Sequence, residues 1–278
     1  MANILISYGD SNFTESLRRL KSQAKKSRLF DKIYFYSPKD LPNYITSSPL
    51  FAFSKGGGYW IWKPYIIVHT LNNCNIGDIV YYIDAGCSIN KNSKDWEYYK
   101  NKMHQYNAIF FQYQSTINYG WERFCKEPQN NSTAIIHWTK PLTIDYFINR
   151  FNNSDFIEYS KIMGGFCIIK KQLKQMQVLE EWYKICLFRP DLIIDPWGEE
   201  LNDLPKSYNT HRHDQSILTP LIFYLKDIDN ILVLPESSES QKEIAAIIAS
   251  RFKREKTPFI VNIKTKLYNF WQQYFIRQ

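Results

Sequence analysis

The chain has few cysteines and no long apolar run. Its five cysteines are odd in number, lie far apart and form no CxxC pair: Cys74, Cys87, Cys125, Cys167 and Cys186. This pattern favours buried free thiols in a reducing compartment and indicates no catalytic cysteine. No window approaches the roughly 18 uninterrupted apolar residues of a membrane-spanning helix. The N-terminus has no basic segment typical of a secretory signal, so the sequence predicts a cytoplasmic protein.

Several common catalytic and cofactor motifs are also missing. No GxxxxGK[ST] occurs, which excludes phosphoryl transfer by a P-loop, and no GxGxxG follows a predicted strand. HExxH and GxSxG are absent too, so zinc-protease and serine-hydrolase chemistry has no support. The chemistry therefore has to come from residues spread along the chain.

Composition favours one sizeable domain with anionic partners. The 278 residues are 44 % apolar and 17 % aromatic, which is ample for a core, and the formal net charge is +8. A positive charge favours nucleotides, phosphorylated lipids, membrane surfaces or nucleic acid. Nucleic acid is disfavoured because the apolar runs predict buried strands and no recognition motif is present.

The most informative stretch covers residues 54–90. Residues 56–58 are three glycines, and the helix-length apolar segment that follows carries one cation, Lys63. Residues 79–83 then form a short apolar run typical of a strand buried on both faces. This strand ends at Asp84, and a carboxylate at the carboxyl end of a central strand lies where open α/β sheets bind ligands.

The rest of the chain predicts an α/β fold. Residues 4–6 and 33–36 are strands around a helix, which makes a βαβ unit. A later strand is entered through Gly164-Gly165, and Asp214 is placed to cap a late helix. We predict a mixed, mainly parallel sheet flanked by helices in residues 1–235, followed by a helical, basic and aromatic tail in residues 236–278 with a helix over residues 244–252.

Four pieces in this order resemble the GT-A glycosyltransferases, most closely the glycogenin and galactosyltransferase-like family. They are Lys63 before a strand, Asp84-Ala85-Gly86 after it, Gly164-Gly165, and Asp214-Gln215. The strings GGGYWIWKPY and HRHDQS are also similar to bacterial surface-polysaccharide glycosyltransferases. The resemblance covers residues 3–234 and implies transfer of a hexose from a nucleoside diphosphate sugar to a glycan acceptor.

The resemblance also implies roles for individual residues. Lys63, Asp214 and Gln215 would be catalytic, with Asp214 acting as a base or shielding the oxocarbenium-like centre. Donor-binding residues would be Ser7, Tyr8, Gly9, Tyr59, Trp60, Lys63, Asp84, Ala85, Gly86, Gly164, Gly165, Arg212 and His213. A divalent cation (Mn²⁺ or Mg²⁺) would be held by Asp84 and His213.

Two departures from the family pattern concern this cation. Gly86 stands where the second aspartate of DxD is expected, and no histidine follows His213. Either His211 or His213 substitutes as a ligand, or Lys63 and Arg212 neutralise the leaving diphosphate. The degraded motif keeps a second function open, that of a catalytically inactive sugar-nucleotide or glycan-binding protein.

The tail predicts a further partner. Residues 251–278 mix basic and aromatic side chains, which favours peripheral binding to the anionic inner face of a membrane. Such a location suits a lipid-linked glycan acceptor in polysaccharide or lipopolysaccharide synthesis. Packing of the aromatic residues on the catalytic domain is the alternative.

Overall fold

The computed structural model describes residues 1–119 and 130–250. The strands in those ranges are β1 (Asn3–Tyr8), β2 (Lys32–Tyr36), β3 (Ile79–Ile83), β4 (Ser88–Ile89), β5 (Ala108–Gln112), β6 (Phe166–Lys170), β7 (Ile231–Pro235) and β8 (Ile247–Ile248). The helices are α1 (Thr14–Ser27), α2 (Asn43–Thr46), α3 (Gly56–Tyr59), α4 (Trp62–Asn72), α5 (Asp95–Lys102), α6 (Pro141–Phe151), α7 (Gln177–Phe188) and α8 (Asp214–Leu225). None of these helices is long and apolar enough to cross a bilayer.

Six strands form the central sheet in the order β2-β1-β3-β6-β5-β7. β1 pairs in parallel with β2 and β3, and β5 pairs in parallel with β7. β6 lies antiparallel between β3 and β5 and is the one reversed strand among the described strands of this sheet. The predicted mixed, mainly parallel sheet flanked by helices is therefore confirmed.

Both faces of the sheet carry a packed core, and β3 shows why. All five of its residues are buried. Val80 and Tyr82 belong to the core cluster that includes residues of α4, α7 and α8, whereas Tyr81 and Ile83 belong to the cluster that includes residues of α1 and α5. Alternating side chains of a strand point to opposite faces, so a continuous apolar run places β3 in the middle of three layers.

The reversed strand brings a loop to the edge where the parallel strands end. Because β6 runs against β3, the residues just before β6 lie beside the carboxyl end of β3. The backbone N–H of Asp84 donates to the carbonyl oxygen of Gly165 at 2.8 Å. This edge collects the end of β1, the end of β3 and the Gly164-Gly165 turn.

The prediction of a helix is wrong for residues 244–250, the part of the predicted helix that the structure describes. The segment instead forms β8, which pairs antiparallel with β4, and Ala245, Ala246 and Ile247 are buried. Burial of a short apolar segment against β4 outweighs its local helix preference. Residues 251–278 lie outside the described residues, and the domain boundary at residue 235 stays a prediction.

We predict that Asp229→Ala destabilises the fold without touching the site. The buried Asp229 carboxylate accepts hydrogen bonds from the first backbone N–H groups of α7, those of Gln177 at 2.9 Å and Val178 at 2.7 Å. Leaving these donors without a partner costs about 1–3 kcal/mol. Urea unfolding measures the loss, and Asp227→Ala, an exposed neighbour, is expected to stay within about 0.5 kcal/mol of the parent. Equal effects of the two substitutions would contradict this assignment.

Candidate active site

Lys63 lies at the centre of the strand-end edge. It is in the first turn of α4, where the following Pro64 loses no helical hydrogen bond. Its Nζ lies 2.7 Å from Asp214 Oδ2 and 3.0 Å from the carbonyl oxygen of Gly164. Oδ1 of Asp84 lies 3.8 Å from the same nitrogen. One ammonium group thus joins α4, α8, the end of β3 and the turn before β6.

The Lys63–Asp214 contact is a buried ion pair. The two side chains are only 2 % and 4 % exposed. Burial on its own would lower the pKa of Lys63, but the charges of Asp214 and Asp84 raise it above its ordinary value, so the ammonium stays protonated. Burial raises the pKa of Asp214, and the contact with Lys63 opposes that shift. Neither charge has water to solvate it, so each depends on the other.

The predicted N-cap role of Asp214 is wrong. His213 occupies the N-cap position and Asp214 is the first residue of α8. The Asp214 carboxylate bonds to Lys63, which lies 151 residues away in the chain. A buried charged partner outweighs the local capping preference that the sequence displays.

Asp84 is the accessible carboxylate of the site. Its side chain is 37 % exposed, in contrast to that of Asp214. The Tyr82 hydroxyl, two residues earlier on the same face of β3, donates to Asp84 Oδ1. Burial and the Asp84 charge both raise the pKa of Tyr82 well above its usual value, so this hydroxyl stays a donor. Asp84 is therefore oriented by the protein and still open to a ligand.

Gly164 and Gly165 leave room for the carboxylates. A Cβ atom at Gly164 would lie 3.0 Å from Gln215 Cγ and 3.3 Å from Asp214 Oδ2. A Cβ atom at Gly165 would lie 3.3 Å from Asp84 Oδ2. The two glycines thus allow the backbone to approach three predicted site residues closely.

The end of β1 presents two hydroxyl groups. Ser7 Oγ and Tyr8 Oη are buried and have no hydrogen-bond partner among the described residues. The Tyr8 ring stacks on Trp62 with centroids 3.8 Å apart. A Cβ atom at Gly9 would lie 2.8 Å from Phe13 Cβ, so this position needs glycine for packing. Buried hydroxyls without partners are costly, and a polar ligand group would offset that cost.

Side chains of Arg19 and Ser250 donate hydrogen bonds to the backbone of the turn after β3. Arg19 Nη2 donates to the carbonyl oxygen of Cys87 at 2.9 Å and to that of Ala85 at 3.4 Å. Ser250 Oγ donates to the carbonyl oxygen of Gly86 at 2.7 Å. The predicted donor-binding residues Ala85 and Gly86 are thus fixed through their backbone.

Tyr59, Trp60 and His213 form an aromatic cluster next to the ion pair. Trp60 stacks on His213 with ring centroids 5.3 Å apart, and Tyr59 meets the same imidazole edge-on at 5.1 Å. Arg212, one residue earlier, places its guanidinium over the Trp138 ring at 4.5 Å. These predicted donor-binding residues therefore lie around the start of α8.

The His213 geometry does not fit a cation shared with Asp84. Its Nδ1 lies 2.8 Å from the carbonyl oxygen of Ile193, and its Nε2 lies 3.8 Å from Asp195 Oδ1. Burial lowers the pKa of His213 to about 4, so the ring is neutral at neutral pH. His211 is likewise engaged, with Nε2 2.9 Å from Leu192 O and Nδ1 accepting from Lys140 N. Within residues 1–119 and 130–250 no cluster of three or more His, Cys, Asp or Glu side chains is arranged as a metal site.

The sequence predicted most of the residues around Lys63 but not the residues that hold them in place. The structure brings together Lys63, Asp84, Gly164, Gly165, Asp214 and Gln215. It also assigns contacts to Tyr82, Trp62 and Asp195 that the sequence did not predict. Alternation along β3 puts Tyr82 and Asp84 on one face and was a usable signal for the first of these. No local pattern marks Asp195, because its hydrogen-bond partners Lys55 and Tyr59 lie more than a hundred residues away in the chain.

Comparisons with known proteins give likenesses of fold only. No family model and no curated sequence matches. A glycosyltransferase involved in glycosylation of the major capsid of PBCV-1 aligns at TM-score 0.47 and 10 % identity, over 89 % of this chain and 93 % of that one. Mouse xyloside xylosyltransferase 1 aligns at 0.40 and 11 %, over 83 % and 84 %. The galactosyltransferase LgtC, solved with donor and acceptor sugar analogs, aligns at 0.37 and 11 %, over 83 % and 72 %. All three TM-scores are below 0.5, so these likenesses carry no assignment of activity.

We predict that Lys63→Met loses stability in a pH-dependent way. Without Lys63, burial and Asp84 both raise the pKa of Asp214 above its unfolded value of about 3.9. A group with a raised folded pKa stabilises at low pH, and that contribution is lost as pH rises. Urea unfolding should therefore show a small loss near about pH 5 and a loss of about 3–5 kcal/mol near about pH 8.

The control for this prediction is Lys63→Met combined with Asp214→Asn. The second substitution removes the charge that would be buried without a partner, so most of the pH dependence should disappear. An equal loss for Lys63→Met at both pH values would show that Asp214 does not depend on Lys63.

Proposed function

We propose that this protein is a glycosyltransferase of GT-A type. It transfers a hexose from a nucleoside diphosphate sugar to a glycan acceptor in the synthesis of bacterial surface polysaccharide or lipopolysaccharide. The proposal rests on the position of the Lys63 ammonium, which lies between Asp214 and Asp84 at the carboxyl ends of the parallel strands.

This arrangement suits donor cleavage for an electrostatic reason. Breaking the bond between sugar and diphosphate places negative charge on the leaving group. A fixed cation in a water-poor site stabilises such charge strongly, and its orientation needs no rearrangement during the reaction. Lys63 already donates to Gly164 O and Asp214, so its contribution to the leaving group is the field of its charge.

Asp214 and Gln215 are proposed at the reacting carbon. Asp214 Oδ2 is held by Lys63, which keeps the carboxylate ionised and oriented. An ionised carboxylate can accept the proton of an acceptor hydroxyl or stabilise an oxocarbenium-like centre. Both roles stay open, as does retention or inversion of the anomeric configuration.

The donor is proposed to lie between the end of β1 and Asp84. The buried hydroxyls of Ser7 and Tyr8 have no hydrogen-bond partner among the described residues, and a nucleoside that reaches the end of β1 would supply one. The Asp84 side chain is partly exposed and can accept hydrogen bonds from the hydroxyls of a ribose. A divalent cation (Mn²⁺ or Mg²⁺) held by Asp84 and donor phosphate oxygens stays a prediction, and Mg²⁺ commonly uses only one or two protein carboxylates in this way.

Contact with an anionic membrane surface and a lipid-linked acceptor also stay predictions. The basic and aromatic residues that suggest them, from Arg251 onward, lie outside the described residues. The described part of the chain ends at Ser250, which bonds to Gly86 beside Asp84.

Two observations favour a second function. Gly86 has no side chain where the family carries a second carboxylate, and the Asp214 carboxylate is already paired. A protein that binds a sugar-nucleotide or a glycan without turnover would tolerate both features. Release of free nucleoside diphosphate, measured with and without EDTA, separates the enzyme from the binding protein.

We predict that nucleoside diphosphate sugars raise the melting temperature of the protein. A ligand that binds only the folded state stabilises it by mass action. The assay is a thermal-shift panel of UDP-, GDP- and dTDP-sugars, with CMP-sugars as the monophosphate comparison, each with and without Mn²⁺. Asp84→Asn should reduce the shift and lower turnover by about a hundredfold or more, the scale of losing one preorganised polar group.

The matched control is Asp145→Asn, which changes an exposed carboxylate on α6. It should leave both the shift and the turnover unchanged. No stabilisation by any donor, or full turnover in Asp84→Asn, would overturn the proposed function.

A further inference from the structure

The turn before α4 has a left-handed backbone. Five consecutive residues have positive φ: Gly56 (58°), Gly57 (58°), Gly58 (93°), Tyr59 (56°) and Trp60 (61°). Tyr59 N donates to Lys55 O at 2.8 Å and Trp60 N donates to Gly56 O at 3.3 Å, so the segment is one left-handed helical turn. Glycine adopts this conformation freely, whereas Tyr59 and Trp60 are strained by it. Such strain persists only where surrounding contacts enforce it.

A second strained residue lies directly before Asp214. His213 has φ 53° and ψ −113°. Its Nδ1 is 2.8 Å from Ile193 O, and its ring stacks on Trp60. The strained turn and the strained histidine are therefore in direct contact.

The loop that carries Asp195 contacts both strained segments. Asp195 Oδ1 accepts from Lys55 Nζ at 2.7 Å, and Asp195 Oδ2 accepts from the Tyr59 hydroxyl at 3.2 Å. Asp195 Oδ1 also lies 3.8 Å from His213 Nε2, which is beyond hydrogen-bond distance. The loop that carries Asp195 is itself anchored, because Ile193 is buried and its carbonyl faces His213.

The two strained segments lead into the two partners of the central ion pair. The left-handed turn is followed by α4, whose first turn carries Lys63. His213 is followed by Asp214. We propose that Asp195 is a positioning residue that clamps the left-handed turn to His213 and thereby sets the Lys63–Asp214 geometry for the transfer, an inference that rests on the proposed function.

The Asp195–Lys55 pair contributes little as an ordinary salt bridge. The side chains are 30 % and 43 % exposed, and exposed ion pairs add little to global stability. Loss of the pair should therefore be felt locally, in the turn and at the start of α8, rather than as global unfolding. Local opening is visible in the exchange of backbone amide hydrogens.

The experiment compares Asp195→Asn with Asp191→Asn by amide hydrogen exchange and steady-state kinetics. Asp191 lies in the same segment and forms a similar exposed pair with Arg189, but no described contact joins it to the turn. In Asp195→Asn, exchange at Tyr59 and Trp60 should accelerate about tenfold or more, with the melting temperature little changed. With the donor that gives the largest thermal shift, kcat should fall about tenfold or more while KM for the donor stays close to the parent value.

Asp191→Asn should match the parent in every measurement. Lys55→Met is the second variant, because it removes the partner and leaves Asp195 in place, and it should accelerate the same two amides. Unchanged exchange at Tyr59 and Trp60 in both variants would overturn the clamp. Faster exchange with unchanged kcat would overturn its role in catalysis. Faster exchange in the two variants, together with a parent protein that turns over no donor, would leave the clamp intact and overturn the proposed function instead.

Discussion

The arrangement of the site depends on one buried cation. The Lys63 ammonium is 2 % exposed and contacts Asp214 and the carbonyl oxygen of Gly164. Taking an ammonium and a carboxylate out of water is costly, and only close pairing and further hydrogen bonds offset that cost. The end of β3, the start of β6, the start of α4 and the start of α8 must therefore meet at fixed distances. A site held in this way is preorganised for charge that develops on a ligand.

Three of the six non-glycine residues with positive φ in the described ranges lie within four residues of Lys63 or Asp214 in the chain. These residues are Tyr59, Trp60 and His213, and the rings of Tyr59 and Trp60 both contact the ring of His213. The central sheet, with apolar cores on both faces, supplies the stability that tolerates such residues. A rigid sheet can hold strained segments at its edge, because its packed cores supply the stability that the strained residues lack.

Much of this architecture could be predicted from local sequence patterns. The apolar run that forms β3 and the carboxylate Asp84 at its end were readable because strand periodicity and burial leave a short-range signature. Lys63 stood out as the one cation in an apolar helix-length segment. Local patterns failed where distant partners decide the outcome. Asp214 pairs with Lys63 rather than capping α8, and residues 247–248 pair with β4 rather than forming a helix. Asp195 carries no local signal at all.

The most direct test of the account is a crystal structure of the protein with the nucleoside diphosphate whose sugar conjugate gives the largest thermal shift. The account predicts the nucleoside beside Ser7 and Tyr8 and the diphosphate at the edge formed by Asp84 and Gly165, on the side of Lys63. The Lys63–Asp214 contact should be unchanged in that complex. A nucleotide bound elsewhere on the molecule, or a diphosphate on the far side of the sheet from Lys63, would contradict the account.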